Sequence, residues 1–464
     1  MADELCTLLG DDYGRLMDRF AALEQIITAD DLQQALCQAR AVPRRACVLT
    51  NTVMLWVLLA MGIFTTLPIR RVFKACRRLR RDETTPGRSA LCLARQRLGV
   101  APVRCLFERI VQPLATPQTP GAFYAGLRLV AIDATVEDVP DSAANARAFG
   151  RPSGRYGDGA FPQIRKLSLI ETGTHAELAF VVKGIRAQRS GEQSMVPALL
   201  RHLTAGMLLL WDRGFFSYAL WQQVRLRGTH LVARVTSALI LKPIRNLADG
   251  SYLAKLYRSD ADRRADRDGI VVRVIRYTLD DPQRVGHGEE HVLLTSLLDE
   301  AAHPALTLIL LYHERWEAEL VYDEQKTHQD PKRASKPAQL RSATPAGVIQ
   351  ELYALSLGHY VVRALMVQAA ATVALDPDRL SFTGCFQILQ LRLPECPSGP
   401  PCAVASWVQD LLWELSREQI EPRQNRINPR VLKRPTKPFP RKRPEHRHIP
   451  PLQHLFVETI VMIR

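Results

Sequence analysis

A chain of 464 residues, at roughly 150 per domain, has room for about three domains. Its 47% hydrophobic and 23% charged residues exclude a collagen-like, wholly disordered or disulfide-scaffold protein. Lys plus Arg number 62 against 47 Asp plus Glu, a formal net charge of +15 that points to a polyanionic partner, with nucleic acid ahead of membrane.

The N-terminus, MADELCTLLGDDYG, carries acidic residues where a secretion signal needs a basic stretch. The nine cysteines are scattered without a C-x-x-C pair, which argues against zinc and disulfide frameworks and for a reduced, cytoplasmic protein. Residues 1–115 read as helical, with apolar positions at helical spacing in 13–27 and 91–111. The run VMLWVLLAMGIF at 53–64 is continuously apolar. It falls short of the ~20 residues that cross a bilayer, so it predicts a buried core helix. Residues 70–81, RRVFKACRRLRR, hold seven basic residues in twelve. Val72, Phe73, Cys76 and Leu79 give that segment a side to dock, leaving Arg70, Arg71, Arg77 and Arg78 to lie along phosphates.

After a Pro/Gly-containing link at 116–121 the pattern changes. Apolar runs at 127–132, 166–170, 178–182 and 207–211 predict strands, the middle two as a hairpin. Helices are expected at about 195–203 and 218–226. Strands followed by alternating helix and strand indicate a mixed α/β sheet. Residues 229–303 read as a β-rich insertion, with strands at 231–235, 239–241, 270–277 and 291–294 and turns at Asp249-Gly250 and 286–288. One helix is expected from about Pro304 to Gln325 and another over 348–371. The Pro-rich stretch 417–447 holds eleven Lys/Arg against three Glu, including Arg441, Lys442 and Arg443, and suits ordering on a polyanion. The division expected is 1–115, a helical DNA-binding domain; 121–372, a catalytic domain with the insertion; and 373–464, a helical region with a basic tail.

Two carboxylates directly follow strand-like runs: Asp133 after LRLVAI and Asp212 after MLLLW. A carboxylate just past a buried strand is held at the sheet edge, half in solvent, where a metal ligand is useful, although Asp is also a common turn former. In LYHERWEAELVYDEQK, Tyr312, Arg315, Glu319 and Lys326 sit at offsets 0, 3, 7 and 14. On a helix of ~3.6 residues per turn they share one stripe about 60° wide. The plainer alternative is an exposed amphipathic helix with an i,i+4 pair such as Arg315 with Glu319. Hydroxyl, guanidinium, carboxylate and ammonium in one stripe make better sense as a metal ligand among phosphate-binding groups. Three carboxylates without His or Cys suit two magnesium or manganese ions, which support in-line phosphodiester cleavage. His313 and His328 have no partner at a metal-ligand spacing.

Asp133, Asp212 and Glu319, with the Tyr-x2-Arg-x3-Glu-x6-Lys spacing, resemble the catalytic residues of the insertion sequence 4 family of DDE transposases. RSALCLARQRLGVAPVRCLFERI (88–110), VAIDATVEDVPDSAANARAFGRP around Asp133, GMLLLWDRGFFSY around Asp212 and LADGSYLA (247–254) are also similar to family segments. The resemblance implies a ribonuclease-H-like core interrupted by a β-rich insertion, and cut-and-paste transposition at inverted-repeat ends of double-stranded DNA. It implies Asp133, Asp212 and Glu319 as catalytic metal ligands. Tyr312, Arg315, Lys326 and Arg213 would be DNA contacts, in a homodimer on DNA, cytoplasmic and associated with the nucleoid, with no membrane partner. The chain departs from the family pattern at Ala134, where Gly is frequent, and at Gly214; it also has no Trp between Trp221 and Trp316. A transposase-derived DNA-binding repressor without cleavage activity is the alternative, and a stand-alone nuclease a third.

Overall fold

The computed structural model describes residues 19–42, 47–76, 85–154, 157–282, 287–329, 340–397, 400–421 and 454–463. The chain packs as two units, residues 1–230 with 314–419 and residues 231–313 with 420–464.

The first unit begins with helices. Of the expected helix at 13–27, the described part is one 3-10 turn, Ala21–Gln25. Helix α1 (Ala29–Gln38) starts in a capping box, Thr28 accepting from the Asp31 N–H at 3.1 Å while Asp31 accepts from the Thr28 N–H at 2.9 Å. Helix α2 (Asn51–Ile63) is capped by Thr50 and buried on nearly every side, as a uniformly apolar core helix must be. Among the described residues no helix is long and apolar enough to cross a membrane.

Helix α3 (Ile69–Cys76) buries Val72, Phe73 and Cys76 and exposes Arg70 and Arg71, the division its sequence predicts. Arg77, Arg78, Leu79 and the tail residues Arg441, Lys442 and Arg443 lie outside the described residues. The apolar stretch 91–111 is two helices, α4 (Arg88–Leu98) and α5 (Ala101–Ile110), separated at Gly99, whose φ of 72° stops the first.

A 28-residue helix, Pro345–Thr372, runs through the same core. It crosses α2 at two glycines: a Cβ on Gly62 would lie 1.8 Å from the Ala354 carbonyl oxygen, and one on Gly358 2.6 Å from the Gly62 carbonyl. Helices Phe382–Arg392 and Pro401–Ser416 complete that core. The N-terminal helices and those of 382–416 therefore share one hydrophobic interior with the long helix.

The sheet of this unit is built on β2 (Leu127–Asp138), whose start pairs with the two-residue β1 (Phe123–Tyr124). Strands β3 (Gln163–Glu171) and β4 (Ala176–Gly184) form the expected hairpin, and β3 runs antiparallel to β2 from Val130↔Glu171 to Asp138↔Gln163. Strand β5 (Met207–Trp211) lies parallel to β2 on its other side, in register from Arg128↔Met207 to Ile132↔Trp211. Three antiparallel strands in succession, then a fourth parallel to the first, make a ribonuclease-H-like core in the order β4-β3-β2-β5. The connection to β5 is not the helix expected at 195–203. It is one turn of α-helix (Glu192–Met195) followed by 3-10 turns at Val196–Ala198 and Leu200–His202, because Pro197 has no N–H to continue the ladder.

The second unit contains an antiparallel sheet. Its strands are β6 (His230–Val235), β7 (Pro243–Asn246), β8 (Tyr252–Leu256), β9 (Ile270–Leu279) and β10 (His291–Thr295), ordered β6-β10-β9-β8-β7. A last strand, β11 (Ile460–Met462), pairs with the end of β9. The expected strand at 239–241 is absent; β7 takes its place a few residues later. The LADGSYLA segment has a structural job here. Asp249 pairs with the fully buried Arg273, which also donates to Ser251 Oγ at 2.8 Å and to the His303 carbonyl at 2.6 Å. Gly250, at φ 85°, supplies the turn.

Candidate active site

Strand β2 does not end at its last fully apolar residue. The run of consecutive buried residues stops at Ile132, yet the strand continues to Asp138 because β3 still pairs with it, Asp133 lying opposite Ser168. What ends near Asp133 is the parallel ladder to β5, whose last pair is Ile132↔Trp211. Asp133 and Asp212 therefore follow adjacent paired residues on neighbouring parallel strands, one position past the point where the sheet is closed on both sides. This corrects the expectation that Asp133 lies beyond its strand; Asp212 does, as the residue preceding the 3-10 turn Arg213–Phe215. Ala134 pairs with Leu167 in the ladder and is not among the positive-φ residues, so nothing in the backbone there requires glycine.

Glu319 comes from the helical segment 305–328, which is not one regular helix. It runs as α-helix (Ala305–His313), a 3-10 turn (Glu314–Trp316), α-helix (Glu317–Asp323) and a π-helical turn (Glu324–His328). The uniform 100° projection that aligned Tyr312, Arg315, Glu319 and Lys326 thus does not hold along the whole stretch. Tyr312 closes the first helix in the second unit and is buried; Arg315, Glu319 and Lys326 belong to the first unit.

Within the first unit, Arg315 is buried and donates to Glu319 Oε1 at 3.2 Å, while the Glu319 side chain keeps 37% of its exposure. The i,i+4 ion pair that the plainer reading of this helix anticipates is thus present. It sits beside Asp133. Burial pushes the Asp133 carboxyl up to about 6, Glu319 and Asp212 push in the same direction, and the Ala134 N–H and Arg315 pull it down. Acidic side chains from the end of β5 and from the 317–323 helix thus both act electrostatically on Asp133 of β2.

The helix is anchored to β2 by Tyr322, which the sequence did not single out, and by Lys326, which it did. The Tyr322 hydroxyl donates to the Asp133 carbonyl oxygen at 2.6 Å, and Tyr322 lies one turn from Glu319. Lys326 donates to Thr135 Oγ1 and, at 3.0 Å, to the Val136 carbonyl. Behind these, Gln325 Oε1 accepts from the buried Lys166 ammonium at 3.0 Å, and Lys166 also donates to Glu177 at 2.9 Å and Ser356 at 3.0 Å. Gln329 Nε2 donates to the Gly62 and Leu355 carbonyls at 2.8 and 2.9 Å. The i+3 offset of Tyr322 from Glu319 was the available signal for the first contact; Lys166 and Gln329 carried none. Arg213 is exposed next to Asp212, and His328 pairs with Asp323 at 3.2 Å.

Comparison with known proteins agrees along the chain. Residues 17–108 match the family described as insertion element 4 transposase N-terminal, and residues 124–343 match the transposase DDE domain family. The chain is 27% identical over 431 residues to transposase InsG for insertion sequence element IS4 of Escherichia coli K12, covering 91% of this chain and 93% of that protein. It is 28% identical over 143 residues to the putative transposase InsZ of the same organism, covering 31% of this chain and 47% of that protein. A distant likeness links it to a piggyBac transposase solved by cryo-EM in a synaptic complex with hairpin DNA, with a TM-score of 0.42 and 12% identity over 86% of each chain. With one match across its N-terminal helices and another across the sheet that carries the acidic residues, the chain belongs to the insertion element 4 family of DDE transposases, enzymes that cleave and join DNA with the help of divalent metal ions.

Proposed function

We propose that Asp133, Asp212 and Glu319 are the metal-binding catalytic carboxylates, and that they hold two magnesium or manganese ions for cut-and-paste transposition at the inverted-repeat ends of double-stranded DNA. One observation carries this reading: the Asp133 carboxyl is raised by burial and by both other acids at once, with Arg315 as the cation that offsets them. Buried negative charge in excess of local positive charge is what a divalent ion relieves, and an all-oxygen donor set favours a hard one. When bound, such ions activate the attacking water or 3′-hydroxyl and stabilise the leaving oxygen.

The chain's own residues orient that chemistry. The β2–β5 ladder fixes Asp133 and Asp212, and the Tyr322 hydroxyl fixes the height of the Glu319 helix against β2. Arg315 steadies Glu319 and presents its positive charge to an incoming phosphate. Lys326, Tyr312 and Arg213 are proposed as phosphate contacts near the transposon end. Arg70, Arg71, Arg77 and Arg78, with Arg441, Lys442 and Arg443 of the tail, would track the backbone further out. A homodimer on DNA, acting in the cytoplasm at the nucleoid, belongs to the same proposal.

The test is Asp212→Asn. The variant is expected to bind inverted-repeat ends as the parent does and to lose metal-dependent nicking by at least ~100-fold, the loss expected when a metal-positioning carboxylate is removed. Nicking retained at the parental rate would take Asp212 out of the site. Equal binding and equal absence of nicking in parent and variant would favour the repressor reading.

A further inference from the structure

Behind the Glu319 helix, in the first unit, lies a second cluster of ionisable groups that the proposed chemistry does not use. His175, in the β3–β4 turn, places Nε2 2.7 Å from Glu317 Oε2 and 3.3 Å from Asp378 Oδ1. These three atoms lie within 4.8 Å of one another. Glu317 begins the catalytic helix, and Asp378 sits in the 3-10 turn Pro377–Arg379 that follows the long helix. His175 and Glu317 are buried, and Asp378 Oδ1 is buried without a hydrogen bond among the described residues.

We propose that His175, Glu317 and Asp378 form a binding site for a divalent transition-metal ion of the zinc or manganese class, separate from the catalytic carboxylates. Three features support it. The first is spacing. Ligands at ~2.1 Å from a tetrahedral ion lie about 3.4 Å apart. The 3.3 Å separation of His175 from Asp378 already meets this, and the 2.7 Å separation from Glu317 needs to widen by about 0.7 Å on loading.

The second feature is the outer shell. His175 Nδ1 lies 2.9 Å from Glu324 Oε1 and also against Arg363 Nη2; in the tautomer that donates from Nδ1 to Glu324, the Nε2 lone pair faces the two acids. This carboxylate–histidine arrangement orients metal-bound imidazoles. Glu324 is itself held by Arg363 and, at 2.8 Å, by His359 Nε2.

The third is charge. The carboxylates of Glu317, Glu324, Asp376 and Asp378 lie around His175 with the guanidiniums of Arg363 and Arg379, an excess of acidic groups that a divalent ion would balance. Because the ligands come from the β3–β4 turn, the Glu319 helix and the end of the long helix, the ion would tie the catalytic helix to two other elements from its far side.

The test uses the full chain with Asp133→Asn, Asp212→Asn and Glu319→Gln combined, so that the catalytic acids no longer bind metal. Loaded with zinc chloride and freed of excess by gel filtration, this protein is expected to keep about one zinc per chain, and to melt roughly 3 °C or more higher than without zinc. Adding Asp378→Asn, at a position still partly exposed, should remove both effects. X-ray absorption at the zinc edge supplies a readout independent of any variant, since an imidazole in the coordination shell cannot come from Asp133, Asp212 or Glu319. Zinc that washes off, zinc retained after Asp378→Asn, or a coordination shell without imidazole would each overturn the site and leave the cluster as an ion-pair network around a protonated His175.

Discussion

The hydroxyl of Tyr322 is a small group at a decisive place, and Tyr322→Phe isolates it. The substitution keeps the ring, which is buried, and deletes the hydroxyl that donates to the Asp133 carbonyl oxygen at 2.6 Å and also meets Ser168. A buried hydrogen bond of this kind contributes about 1–2 kcal/mol, counting the carbonyl left without this donor. If that free energy serves to hold Glu319 at its working distance from Asp133, its loss raises the barrier to cleavage by the same amount, a ~5- to 30-fold slower step at 1.36 kcal/mol per decade. The assay is single-turnover nicking of an end-containing duplex with enzyme and magnesium saturating, beside an anisotropy measurement of end binding. End binding should be unchanged and the melting temperature lowered by roughly 1–3 °C. Asp323→Asn, one residue along, is the control: its carboxylate pairs with His328 on an exposed face and its loss should leave the rate alone. A Tyr322→Phe enzyme that nicks at the parental rate would refute the claim that this contact positions the helix.

Two further outcomes follow from the same coordinates. The Asp133 carboxyl, raised to about 6, has its ionised form disfavoured in the folded protein, so this group adds stability as the pH falls through 6 and withdraws it as the pH rises. Metal binding needs the ionised form and runs the other way: at limiting magnesium, nicking should fall towards tenfold per pH unit below about 6 and recover with added metal, and a flat profile between pH 7.5 and 5 would contradict it. Gly358→Ala places a Cβ 2.6 Å from the Gly62 carbonyl, so the two helices must part, at about 1–3 kcal/mol or more. A urea midpoint unchanged from the parent would show that the crossing yields more easily than its packing suggests.

Much of the architecture was legible in the sequence because it rests on local periodicity. The apolar runs at 127–132, 166–170, 178–182 and 207–211 lie in β2, β3, β4 and β5, and the uniformly apolar 53–64 run is the buried α2. What was not legible depends on distant partners. The continuation of β2 past Ile132 is decided by β3. The break at 195–203 is a different case, since Pro197 is a local signal that the helical pattern around it outweighed. The candidate site divides the same way. Asp133 and Asp212 are marked by the apolar runs before them, and Arg315 and Glu319 by their i,i+4 spacing. The π turn Glu324–His328 carries the tertiary contacts of Gln325 and Lys326, with those of Gln329 just after it, and such contacts leave no periodic trace.

The shared interior of the first unit bears on how such an enzyme changes its DNA preference. Helix α2 is buried in the same core as the long helix, so the front of the chain is not a cassette that recombination could exchange on its own. On the proposal that Arg70 and Arg71 meet DNA phosphates, that contact can be tuned at such exposed positions one side chain at a time, with the interlocked glycines passed on unaltered.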